Sequence, residues 1–200
     1  MSDRANPFEW SGGHPGLDFV NTLDERPSDS PVENLTTYRD LVQFVRLAGL
    51  VEPPLADRML RLDGRACSHI ATRARKLREH LHDVLVAAHC GRPVREADLK
   101  AISTAIQKAH TARVLGASNS SQLASHCWCP PLARDIPLHA CSLAIERLLL
   151  DENPRRIRQC DAADCEVYFV DTSKGHLRQW CSMKGCGNRE KQRRWRSAPK

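Results

Sequence analysis

The stretch RQWCSMKGCGNREKQRRWR, residues 178–196, sets two cysteines, Cys181 and Cys186, directly before a run of positive charge. CDAADC, residues 160–165, repeats the same C-x4-C spacing, and fifteen residues separate the two pairs. Two cysteine pairs one small hairpin apart are the pattern of a closed tetrahedral zinc site. Thiolates suit this borderline-soft ion, and four of them leave no position open for water. The expectation is therefore one structural zinc held by Cys160, Cys165, Cys181 and Cys186. Incidental buried thiols and disulfides are the competing explanations. Nine cysteines, an odd number, and no basic and apolar leader in MSDRANPFEW weigh against disulfides.

Working outward, Ile157–Cys160 and Glu166–Val170 are expected to pair as a hairpin, with Cys160 and Cys165 on its turn. Cys181 and Cys186 then form a second knuckle, with a helix starting near Gly187, in a treble-clef-like arrangement. So small a module buries little apolar surface and depends on its metal for stability. On the helix, Arg189, Arg193 and Arg196 fall at i, i+4 and i+7 and share a face. Lys191 and Trp195 lie on another side, with Asn188 close by, and Glu190 is spaced to pair with Arg194. Guanidinium forks suit phosphates and guanine edges alike. Arg178, Arg189, Lys191, Arg193, Arg194 and Arg196 are thus the candidate nucleic-acid contacts. Trp195 can pack on the finger or stack on a base, and packing is the preferred reading. Trp180 is expected to pack around the metal, with Asp171 and Ser173 as supporting hydrogen-bond partners.

These residues carry a family resemblance. Tyr168-Phe169-Val170-Asp171-Thr172-Ser173-Lys174, then Arg178-Gln179-Trp180-Cys181-Ser182-Met183, then Cys186-Gly187-Asn188-Arg189 and Lys191 resemble the CGNR zinc finger of bacterial proteins, over roughly residues 155–196. Lys174 stands where an arginine is typical, and Gln179 interrupts a basic pair, removing one positive charge. Gly12-Gly13-His14-Pro15-Gly16-Leu17-Asp18-Phe19-Val20-Asn21-Thr22, with Leu35-Thr36 and Asp40-Leu41, resembles the ABATE domain that accompanies this finger. The resemblance implies a bacterial, stress-linked transcription regulator.

Charge is partitioned along the chain. Residues 1–153 carry 18 Lys/Arg against 19 Asp/Glu, whereas residues 154–200 carry 12 against 5. Four zinc thiolates would leave the latter at about +5. A basic module on a neutral body reads as a footprint for phosphates, although basic ends also serve solubility. No run of eighteen apolar residues indicates a membrane span, and a cytoplasmic location is expected.

Upstream, the periodicity is helical. Leu17–Val20 is a short apolar segment that fits a helix start or a buried strand. If Leu17–Leu23 is helical, Asp18, Asn21 and Thr22 share a face that can line a ligand pocket, against the simpler reading of capping and turn bonds. Helices are expected over Leu35–Leu50, from the Pro53-Pro54 loop to about Leu62, over Ser68–Cys90, Asp98–His110 and Leu138–Leu150. Ile70, Ala74, Leu77, Leu81, Val84, Leu85 and Ala88 make the apolar stripe of the third, with Arg73, Arg75, Lys76, Arg78 and Glu79 as its solvated flank. Leu99, Ile102, Ile106 and Ala109 face inward on the fourth. Val114-Leu115, a Ser-Asn-Ser-Ser turn signal and Leu123 suggest a hairpin. Cys127 and Cys129 are a poor zinc chelate and read as packing, and Cys67, Cys90 and Cys141 as small core residues. His80, His82 and His89 form no H-E-x-x-H pattern, and the four cysteines leave His176 no place as a ligand.

The fold class is thus mainly α (α+β). Residues 1–153 form a helical sensor or dimerisation domain with a short β-hairpin, and residues 154–200 a four-cysteine, treble-clef-like zinc finger with a basic helix. The expected partners are double-stranded DNA, a small-molecule or protein effector at the N-terminal domain, and a second copy in a homodimer. No membrane partner is expected. A protein-interaction module and an RNA-binding protein are the alternatives. No nucleophile–base set or open metal position suggests an enzyme.

Overall fold

The structure, a computed structural model, describes residues 7–65, 67–117 and 123–197. Its first elements are α1 (Pro15–Val20), β1 (Leu23–Asp24), β2 (Val32–Glu33), α2 (Tyr38–Leu47), α3 (Pro53–Met59), α4 (Ser68–His89) and α5 (Glu96–Thr111). There follow β3 (Arg113–Ala117), β4 (Ala124–Trp128), α6 (Ile136–Asp151), β5 (Ile157–Gln159), β6 (Tyr168–Val170) and α7 (Asn188–Ser197). The strands form three antiparallel pairs, β1 with β2, β3 with β4 and β5 with β6. The chain divides into two compact units, residues 35–147 and residues 1–34 together with 148–200. None of the described helices is long and apolar enough to cross a membrane.

In the unit 35–147, α2 packs on α3 and α4, and α4 on α5. α2 is three residues shorter at each end than its periodicity suggests, because its stop and start signals lie inside that span. Thr37 closes a capping box with Asp40, and Gly49, at φ +66°, turns the chain away. On α4 the stripe from Ile70 to Leu85 is buried, while Ala88 is exposed in the last turn. Arg78 is not part of a solvated flank. It follows Ala74 by four residues and precedes Leu81 by three, so it lies on the stripe itself, 2% exposed, with Nε donating to Glu79 at 2.8 Å. On α5, Ile102 and Ala109 face inward as expected, but Leu99 is 45% exposed. Asp98 takes the buried position of that turn, held by Arg95 and by His80 at 2.9 Å.

The hairpin of β3 and β4 is present with Arg113 opposite Trp128, and the Ser118–Ser121 turn signal lies outside the described residues. Strand alternation turns Trp128 onto His139, with ring centroids 6.3 Å apart, and leaves Cys127 and Cys129 exposed rather than packed. Cys67 and Cys141 are core residues, but Cys90 caps the end of α4 and is exposed. α6 is buried all round at its start, residues 136–145 without interruption, with His139 and Ser142 among otherwise apolar side chains.

In the other unit, α1 starts where His14 accepts a hydrogen bond from the Gly16 N–H and Pro15 opens the first turn. The helix ends at Val20, so Asp18, Asn21 and Thr22 do not share a helical face. Asp18 accepts the Gly12 N–H at 2.8 Å, and Thr22 donates to the Phe19 carbonyl at 2.7 Å. Gly12 has no room for a side chain, since a Cβ there would meet Asp18 Oδ1 at 2.8 Å and Leu17 Cβ at 2.9 Å. Asn21, at the C-cap, reaches β6. Its amide nitrogen donates to the Tyr168 carbonyl at 2.9 Å, and its oxygen accepts the Tyr168 N–H at 3.0 Å. The Val170 N–H also donates to the Gly12 carbonyl at 2.8 Å. The N-terminal segment therefore covers the edge of β6 that β5 leaves open.

Two predictions arise from this edge. Asn21→Ala strands the N–H and carbonyl of Tyr168 inside the protein, and we expect a loss of about 1–3 kcal/mol in denaturant unfolding. Burial raises the Asp18 carboxyl to about 6 despite the Gly12 hydrogen bond. A raised carboxyl contributes stability below its ordinary value and loses it as pH rises through about 6. Asp18→Asn keeps the acceptor and discards the charge. Its stability relative to wild type should therefore improve as pH rises from about 4 to about 8 in parallel melts.

Candidate metal centre and nucleic-acid interface

The β5–β6 hairpin is short and ends in two knuckle positions. Ile157 pairs with Val170, Arg158 with Phe169 and Gln159 with Tyr168, and the Cys160 N–H extends the ladder to the Val167 carbonyl at 2.9 Å. The turn beyond carries Cys165, whose N–H donates to Ala162 at 3.0 Å. The Asp161 N–H then donates to the Gln179 carbonyl at 2.9 Å and joins the first knuckle to the second. In the second, Met183–Gly187 form a single wide π-turn that runs into α7, and Ser182 accepts from the Gly185 N–H. A Cβ at Gly187 would meet Met183 Sδ at 2.9 Å, so the methionine side chain lies close over the turn.

This backbone brings four sulfurs together. The Sγ atoms of Cys160, Cys165, Cys181 and Cys186 all lie within 4.8 Å of one another. Cys165 and Cys181 are 3.8 Å apart, and Cys181 and Cys186 3.5 Å. Sulfurs on a regular tetrahedron around zinc sit roughly 3.8 Å apart, given bonds of about 2.3 Å. The donor set and its spacing fit one zinc ion, closed to further ligands. Bound there, zinc would fix both knuckles in one geometry and offset two of the four thiolate charges. Hydrogen bonds from Cys165 and Cys181 lower Cys160, and the same contacts raise Cys165 and Cys181.

Around the sulfurs lies a compact shell. Phe169 is fully buried against the cysteines, and Val167 and Trp180 pack on the same cluster. The Cys181 N–H donates to Cys160 Sγ at 3.4 Å, and Arg189 donates to Cys186 Sγ at 3.2 Å. Asp171 is fully buried and accepts the N–H groups of Ser173 at 2.9 Å and Arg178 at 3.0 Å, which shapes the loop between the knuckles. Burial alone would raise its carboxyl, but the bonds from Ser173 and Arg178 outweigh it and hold the group below its ordinary value. Asp171 and Ser173 thus support the loop, not the sulfurs directly.

The candidate nucleic-acid contacts separate into two groups. Arg178 is turned inward, with Nε donating to the Trp180 carbonyl at 2.9 Å, a second bond to the Cys181 carbonyl, and its guanidinium 4.2 Å from the Phe169 ring centroid. Arg189 bonds Asp164 at 3.0 Å as well as Cys186, and the bond from Arg189 lowers the Asp164 carboxyl. These two arginines brace the metal centre. Arg193 bonds Glu190 at 2.7 Å and lies 3.6 Å from Asp164, so Glu190 pairs at i, i+3 and not with Arg194. Arg194 lies 6.0 Å from the Trp180 ring centroid. Lys191 and Arg196 are exposed and carry no ion pair among the described residues. Arg189, Gln192, Arg193 and Arg196 line one shallow hollow, as residues on a common face do. Trp195 does not pack on the finger; it is 83% exposed.

Sequence spacing points to the ligands but not to Asn21, Gly12 or Asp164 in these roles. Asn21 acts across 147 residues, and no local pattern encodes that reach. The same long-range folding changes the charge picture. Over the described residues of this unit, 12 Lys/Arg meet 13 Asp/Glu, because the N-terminal segment is acidic. The net excess of positive charge is a local property of α7, which carries five Lys/Arg against one Glu. Beside the metal centre, a cavity of about 770 Å³ is lined by Asn21, Asp24 and Arg26 from the N-terminal segment and by Glu166, Lys184 and Arg189 from the finger.

Two family models match the chain. One, described as "Putative stress-induced transcription regulator" (ABATE), matches residues 13–152, and the other, the CGNR zinc finger, matches residues 156–198. No curated protein matches the chain.

If Arg189 braces the metal centre, its removal should weaken zinc retention. We expect Arg189→Ala to lower zinc affinity roughly 10–100-fold in competition with a chromophoric chelator. Arg196→Ala should leave that affinity unchanged.

Proposed function

We propose, from the premise that this chain belongs to the ABATE family and ends in a CGNR zinc finger, that it regulates transcription by binding double-stranded DNA through α7. One observation carries the reading. The zinc knuckle ends in a helix whose solvent side presents Lys191, Arg193, Arg194 and Arg196 within six residues, on a unit that is otherwise not basic. Regulatory duties fall to residues 1–153 and recognition to residues 154–200. The protein is non-catalytic and acts in the cytoplasm. One module with this footprint binds weakly, and a homodimer formed through the N-terminal domain supplies the second contact. A small effector in the cavity beside the metal centre would touch the N-terminal segment and both knuckles together.

The affinity comes from phosphate neutralisation, so it carries a salt slope. Each phosphate neutralised contributes about 0.9 to the negative slope of log K against log salt on duplex DNA. We expect the zinc-loaded full chain to bind mixed-sequence duplex with a steep slope, and the double variant Arg193→Ala/Arg196→Ala to lose about 2 from it. Binding that ignores both salt and the substitutions would refute the reading.

A further inference from the structure

The protein has four tryptophans, and three of them have partners. Trp10 meets Phe8 edge-on at 6.0 Å, Trp128 stacks on His139, and Trp180 packs on the cysteine cluster. Trp195 is 83% exposed, on a helix made otherwise of polar and charged residues. An indole left in water forgoes the burial that normally stabilises so large a ring. The rest of α7 shows what kind of surface would cover it. Lys191 precedes Trp195 by four residues and Gln192 by three, so a cation and an amide lie about one turn away, roughly 6 and 4.5 Å along the axis. Arg196 and Arg193 continue the band on the far side of Gln192. A protein-docking face gathers several apolar side chains, whereas α7 offers one aromatic ring among cations. Rings to stack on, edges to hydrogen-bond and phosphates to neutralise occur together in a nucleic-acid strand.

We propose that Trp195 is a base-stacking residue and that α7 accepts unpaired bases of a DNA single strand beside the phosphates it neutralises. The proposal rests on the reading of α7 as a DNA-binding helix and narrows its ligand. In a duplex the faces of the bases are covered by their neighbours, so an indole cannot stack on them unless a base leaves the helix. Phosphate contacts by Arg193 and Arg196 do not distinguish the two forms. Trp195 therefore adds affinity for melted or single-stranded segments, with Gln192 placed to meet a base edge.

The test uses the zinc-loaded full chain, a labelled thymidine homo-oligonucleotide and a mixed-sequence duplex of the same length, at one salt concentration. Zinc content is measured for every variant, so that loss of the finger is not mistaken for loss of contact. Trp195→Ala should weaken single-strand binding about 5- to 150-fold, the range for one stacked base, and change duplex binding less than about twofold. Trp195→Phe, which keeps a ring, should stay within about threefold of wild type on both ligands. Equal weakening of both ligands by Trp195→Ala, or no weakening of either, overturns base stacking. If the wild type binds duplex with the expected salt slope in that case, the DNA-binding reading survives alone. If the wild type binds neither ligand, both fall.

Discussion

Four sulfurs within 4.8 Å of one another are the constraint on which the rest of this unit depends. As thiolates they repel one another, and a bound cation turns that repulsion into attraction. Everything around it is arranged to permit that approach. A hairpin of two three-residue strands delivers two sulfurs, a wide turn delivers two more, and Phe169 and Trp180 pack around them. The helix that follows inherits its direction from the second knuckle. Arg189 ties that helix to a sulfur and to Asp164, so the cationic face of α7 is fixed to the metal and not left to diffuse.

The finger is not a free-standing appendage. β6 is bonded on one side by β5 and on the other by Gly12 and Asn21, from the opposite end of the chain. This closes a two-stranded ribbon that would be marginal alone. It also brings six acidic residues, counted among the described residues of the N-terminal segment, into the unit that carries α7. α7 carries five Lys/Arg against one Glu, so a near-neutral unit still holds a locally cationic helix.

Much of this is legible in the sequence where the governing interaction is local. The cysteine spacing, the hairpin before it and the helix after it all depend on neighbours a few residues apart. Arg78 defeats a reading by charge, although its i+4 and i−3 spacing to Ala74 and Leu81 places it inside. Leu99 defeats a reading by periodicity, because Asp98, paired with Arg95 and His80, takes the buried place in that turn. Packing, the usual fate of a tryptophan, holds for Trp180 on the cysteine cluster and not for Trp195, which is 83% exposed. Asn21 has no local signature at all, since its partner is 147 residues away.

The central claim is that metal, hairpin, helix and N-terminal segment form one cooperative unit. Hydrogen exchange of the full chain with and without zinc tests it most directly. Removal of zinc should strip protection from residues 157–190 and from residues 12–22 together, while α2, α4 and α5 keep theirs. If residues 12–22 remain protected while the finger alone opens, the segment is not part of the metal-dependent unit and the account is wrong.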